Sequence, residues 1–155
     1  DDSTAAKWEL VTEGIEYVTR FHPEVALDSW IQVVSETYFY EREDTLFISE
    51  KTFKVIASSQ PFIILGSKGS LKGLKELGYK TFDKWIDESY DELEDCDRMD
   101  AIIKVLKDID SIEDKVSWFS EMKEVLEYNK NLLEQNSLET PPRVFSEVNK
   151  IYNSL

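Results

Sequence analysis

The sequence predicts an α/β fold: a small Rossmann-like parallel sheet flanked by helices, with a helical C-terminal cover. Two runs, Trp30 to Val34 and Pro61 to Leu65, are nearly continuous in β-branched and aromatic residues. Strands that lack polar alternation are those covered on both faces, as in parallel sheets. The second run also opens a strand, crossover helix, strand succession. Gly66 to Gly69 forms its turn, Leu71, Leu74 and Leu77 a helical stripe, Gly78 a left-handed C-cap and Tyr79 to Phe82 a further short strand. Finally, apolar residues recur at helical spacing through the last third of the chain.

Each element has a local reason. Trp8, Val11, Ile15 and Val18 predict an amphipathic helix over Asp1 to Arg20, capped by Ser3 and stopped by His22-Pro23. The first strand lies within Ser29 to Thr37, and its polar end, Ser35-Glu36-Thr37, emerges at the carboxyl edge of the sheet. An acidic connector, Glu41 to Asp44, leads to a helix within Leu46 to Ser58, capped by Ser49 or Thr45 and marked by Ile48, Thr52, Val55, Ile56 and Ser59. Asp83 to Asp100 reads as acidic and irregular, with Trp85, Ile86 and Tyr90 clamping it to the core. Met99, Ile102, Ile103, Leu106 and Ile109 then define one helical face, and Ile112, Val116, Phe119, Met122, Leu126 and Leu133 a second, longer one. Pro141-Pro142 ends that helix, and Val144 to Leu155 is a short terminal helix. The expected organisation is a single domain over residues 1–155, with the sheet core at about 29–109 and the C-terminal helices at about 110–155.

Composition narrows the function. The chain has 155 residues, and 32 Asp and Glu against 18 Lys and Arg give a net charge of −14. A surface of that sign repels phosphate backbones and anionic headgroups, so neither nucleic acid nor a membrane surface is an expected partner. Four Trp, seven Tyr and eight Phe supply a core that an acidic disordered tail would lack. No apolar run approaches the roughly 20 residues of a membrane span, and Asp1 begins no signal-peptide pattern, which together predict a soluble cytoplasmic protein. One cysteine, Cys96, excludes an internal disulfide, and with a single histidine, His22, it excludes structural zinc. Cys96 lies between carboxylates that raise a thiol pKa, and reads as a surface residue. The carboxylates between Asp83 and Asp100 lack the alternation and glycine of an EF-hand, so they read as a solvated loop rather than a metal site. Trp30, Trp85 and Trp118 read as packing residues.

Chemistry in an open α/β sheet belongs beyond the carboxyl ends of the strands, where helix N-termini direct free N–H groups. Three segments are expected there: Ser35, Glu36 and Thr37; Ser49, Glu50 and Lys51; and Gly66, Ser67, Lys68, Gly69 and Ser70. The last of these reads as a structural turn with a helix cap or, alternatively, as a phosphate cradle. It matches neither the dinucleotide fingerprint nor a Walker A loop.

The run Phe47-Ile48-Ser49-Glu50-Lys51-Thr52-Phe53-Lys54, followed by Pro61-Phe62-Ile63-Ile64-Leu65-Gly66, resembles the donor-binding half of GT-B glycosyltransferases. The closest likeness is to the fucosyltransferase pattern in which a Thr/Ser-Glu-Lys helix precedes a Pro-hydrophobic-Gly strand. Ser35 to Asp91 also looks like a family of uncharacterised glycosyltransferase-like proteins of marine phages and bacteria. The resemblance implies a nucleotide-diphosphate sugar as substrate, without a cofactor or metal. It also implies that Glu50 binds the ribose or sugar, that Lys51 neutralises the diphosphate and that Glu36 faces the same donor site. Ser49, Gly66, Ser67 and Lys68 complete the implied donor and phosphate site, while no residue is implied as the catalytic base. In such enzymes an N-terminal domain supplies the acceptor site, and this chain has length for only one half, so the resemblance leaves two alternatives: a fragment of a larger protein with an N-terminal acceptor domain, or a lone domain that keeps the fold without the reaction. The alternative is a non-catalytic acidic interaction module with the same fold. A third reading, a flavodoxin-like phosphoacceptor, requires an aspartate at a strand's carboxyl end, where this chain has Glu36 and Gly66.

Overall fold

The computed structural model of the protein describes residues 28–40, 46 and 48–139. The predicted helices over Asp1 to Arg20 and Val144 to Leu155 lie outside these residues, as does His22. Among the described residues, β1 (Gln32–Ser35) leads through α1 (Glu50–Ala57) to β2 (Phe62–Leu65). There follow α2 (Ser70–Glu76), a 3₁₀ turn (Ser89–Glu92), α3 (Asp95–Asp110), α4 (Lys115–Glu121) and α5 (Lys123–Glu139). The fold is α/β, with five α-helices around a two-stranded parallel sheet. Among the described residues no helix is long and apolar enough to cross a membrane.

β1 and β2 pair in the register Val33 with Ile63 and Val34 with Ile64. Gln32 N–H donates to Pro61 O and Glu36 N–H to Leu65 O, both at 2.9 Å. Ile63 is fully buried and Phe62 and Ile64 nearly so, as a continuously apolar strand requires. β1 lies within the expected Ser29 to Thr37 but departs from the expected burial on both faces: only the Val34 side is covered, Val33 being 45% exposed.

The predicted third strand, Tyr79 to Phe82, does not form. Two side chains explain its absence. With the Pro61 and Leu65 carbonyls turned towards β1, strand alternation turns the Ile64 N–H to the other edge of β2, where it donates to Tyr90 Oη at 3.4 Å. That edge is therefore filled by a buried phenol. Meanwhile, the Asn129 side chain on α5 accepts from Lys80 N–H and donates to Lys80 O, both at 2.8 Å, which replaces the ladder a neighbouring strand would have offered. Among the described residues the sheet is thus the two strands of the β1–α1–β2 unit.

The helices are largely where their periodicity places them, with shifts in facing. Ser49 caps α1, its hydroxyl accepting from Lys51 N–H. Gly78 takes φ +90° after α2, and its N–H and that of Tyr79 close on Lys75 O and Leu74 O, a glycine-terminated helix end. Leu71 and Leu74 are buried, but Leu77, expected on the same stripe, is 56% exposed. α3 begins at Asp95, inside the segment expected to be irregular, and buries Arg98, Ile102, Val105 and Ile109 rather than the face of Met99 and Ile103. The rotation follows from Arg98, 1% exposed, whose terminal Nη groups donate to Leu93 O, Phe39 O and Asp95 Oδ1, with the Phe39 ring 4.4 Å away, while its Nε is buried without a hydrogen-bond partner. The long C-terminal helical pattern is interrupted at Met122, where α4 gives way to α5. Trp118 is buried, whereas Trp30 is largely exposed with its edge on Phe119; Cys96 is exposed.

Candidate functional site at the carboxyl end of the sheet

The chain leaves β1 at Glu36 and β2 at Gly66, and these residues are neighbours. A Cβ built on Gly66 would lie 3.3 Å from Glu36 Cβ, 3.1 Å from Ser70 Oγ and 3.0 Å from Ile64 Cγ2, so a side chain there would press on three groups at once. Glycine suits that approach, since any other residue would make its neighbours give way by a few tenths of an ångström.

Glu36 points inward and is 5% exposed. One carboxylate oxygen accepts from Ser49 N–H at 3.0 Å and Thr52 Oγ1 at 2.7 Å, and the other accepts from Ser49 Oγ. A carboxylate at a helix N-terminus satisfies otherwise unpaired N–H groups and meets the positive end of the helix dipole. Glu36 is therefore an anion bound at the start of α1, supplied by the chain itself. Ser49 donates to Glu36 and accepts from Lys51 N–H at 3.2 Å, so its hydroxyl is used in both directions. Glu50 follows as the first helical residue, half-buried. The Lys51 ammonium folds back on β1 and donates to Ser35 O at 3.0 Å. Strand alternation turns that carbonyl away from β2, so Lys51 covers part of the sheet edge.

The second helix start repeats the arrangement with a residue from further along the chain. Asp91, in the 3₁₀ turn, is 7% exposed and accepts from Leu71 N–H at 2.9 Å and Lys72 N–H at 3.0 Å, one bond to each oxygen. Its carbonyl accepts from Gly69 N–H at 2.9 Å. The turn closes on itself as well: Ser70 Oγ donates to Ser67 O at 2.6 Å. Ser67 Oγ is buried without a hydrogen-bond partner, and Lys68 turns to Glu94 on the surface.

The structure thus gathers Glu36, Ser49, Lys51 and Gly66 at one end of the sheet. Lys68 is directed elsewhere. Sequence reading missed Asp91, Thr52 and Tyr90. Thr52 and Tyr90 had been assigned to helix periodicity and core clamping, and Asp91 was counted among solvated carboxylates. Among the described residues no cluster of three or more His, Cys, Asp or Glu side chains is placed to hold a metal ion. Compared with known proteins, the chain matches no family model, no curated protein and no solved structure.

Proposed function

We propose that this domain is a non-catalytic, acidic protein-interaction module carried on a minimal Rossmann-like βαβ unit. The observation that carries this reading is that both helix starts at the carboxyl end of the sheet are occupied by the chain's own carboxylates. Glu36 fills the start of α1, Asp91 that of α2, and Lys51 bonds a backbone carbonyl. A diphosphate brought to this end would meet a buried carboxylate in place of free amides, and like charges there repel. A surface suited to a partner lies nearby in sequence: Trp30, Val33 and Tyr40 are 42%, 45% and 67% exposed. Large exposed apolar side chains in one stretch are characteristic of contact surfaces.

A second reading, the nucleotide-sugar-binding half of a GT-B glycosyltransferase, is favoured by the convergence of Glu36, Ser49 and Lys51. In that reading Lys51 exchanges Ser35 O for the diphosphate and stabilises the charge that develops as the glycosidic bond breaks, Glu50 holds the sugar or ribose, and an N-terminal domain brings the acceptor.

Calorimetric titration with GDP- and UDP-sugars separates the two. The module reading predicts no saturable heat at millimolar ligand; saturable binding abolished by Lys51→Ala overturns it in favour of the transferase. On the positive side, a protein recovered from native extract by the wild-type domain should be lost on Trp30→Ser with Tyr40→Ser, with the unfolding midpoint unchanged.

A further inference from the structure

The lysines are unevenly placed. Residues 68–84 hold five of them, Lys68, Lys72, Lys75, Lys80 and Lys84, against only Glu76 and Asp83, a cationic stretch in a chain of net charge −14. The latter part of this stretch lines a groove of about 440 Å³ between the loop after α2 and the junction of α4 with α5. That volume lies in the range of small-molecule sites, about 300–1,000 Å³.

We propose that this groove binds a small aromatic carboxylate. The flat body of the ligand would lie against Trp85, whose indole is held in place by its Nε1–H donating to Glu121 Oε2 at 2.9 Å, with Val125 as the aliphatic wall beside it. The three ammonium groups at the groove differ in commitment. Lys75 is shared between Asp83 and Glu88 at 3.3 Å each, and Lys80 sits 4.1 Å over the Tyr128 ring. Lys84 is exposed and makes no hydrogen bond or ion pair among the described residues, which leaves it to meet an incoming carboxylate. Asp83, Glu121 and Glu124 line the groove beside the three lysines, so a polyanion would meet as many carboxylates as ammonium groups, whereas a single charge need meet only Lys84. The backbone beneath is fixed: Asn129 clamps Lys80 on both its N–H and C=O, and Glu88 accepts from Phe82 N–H at 2.6 Å. The site is independent of the carboxyl end of the sheet.

The test is a titration with 2-naphthoate followed by ¹H–¹⁵N correlation spectra, with 2-naphthylmethanol as the uncharged control. Saturable shifts are expected at the Trp85 indole N–H and the Lys84 amide. Affinity should fall about tenfold in Lys84→Glu, which removes an attraction and adds a repulsion, and stay unchanged in Lys104→Glu, an exposed lysine on α3. Trp85→Leu should abolish binding while the urea midpoint shows the domain still folded. Absence of saturation, equal affinity for the alcohol, or indifference to Lys84→Glu each overturns the proposal.

Discussion

At the residue scale, two acidic side chains define this domain by what they occupy. Asp91 is remote in sequence from the amides it serves, of which that of Leu71 would otherwise be buried without a partner and that of Lys72 partly so at the start of α2. Leaving such groups unsatisfied costs about 1–3 kcal/mol, so Asp91→Ala is expected to lower stability by about that amount in urea titrations, with Asp91→Asn retaining part of it. Ser49 and Gly78 were legible in the sequence because a helix cap and a left-handed C′ glycine are local signals. Asp91 was not, because in a run of carboxylates nothing local distinguishes the one that folds inward. Arg98 was hidden for a related reason: polarity places arginine outside, and its burial depends not only on the local Leu93 O and Asp95 but on Phe39 O, 59 positions away.

At the scale of elements, the extended segment Tyr79 to Phe82 shows how far composition carries. Its aromatic and β-branched residues are those of a strand, and Tyr79 and Phe82 are indeed buried, Phe82 packing edge-on against Phe62 with ring centroids 5.1 Å apart. What composition omits is the partner: Tyr90 closes the edge of β2, and a single amide from α5 serves Lys80. Asn129→Leu keeps the volume roughly constant and removes both bonds, and is expected to cost about 1–3 kcal/mol and to increase hydrogen exchange at the Lys80 amide. The same loop carries a titrating group. Burial, the largest influence on Glu88, holds its carboxyl above the usual carboxylate range, against the opposing hydrogen bonds from Thr81 and Phe82 and the charge of Lys75. The folded state therefore binds this proton more readily than the unfolded chain. Its contribution to stability is greatest below the ordinary carboxylate value and declines as pH rises through the folded value. The stability of wild type minus that of Glu88→Gln, measured in urea from mildly acidic to neutral pH, should fall across that window. A flat or rising difference contradicts the assignment.

At the scale of the whole molecule, the α/β class was legible because β1 and β2 follow from nearly continuous apolar runs and α1 from a 3.6-residue period. The extent of the sheet was not, since it depends on which side chains fill the edges. The candidate site shows the same division: the sequence brought Glu36, Ser49, Lys51 and Gly66 to one end, while their roles turned on hydrogen bonds between residues 13 and 16 positions apart. The central claim is that the two helix starts at this end of the sheet are occupied from within, by Glu36 and Asp91. Its most direct test is a ¹H–¹⁵N titration of the domain with UDP at millimolar concentration, reading the amides of Ser49, Leu71 and Lys72. The account predicts that these three resonances stay in place; saturable, concerted movement of them in the wild-type protein would contradict it.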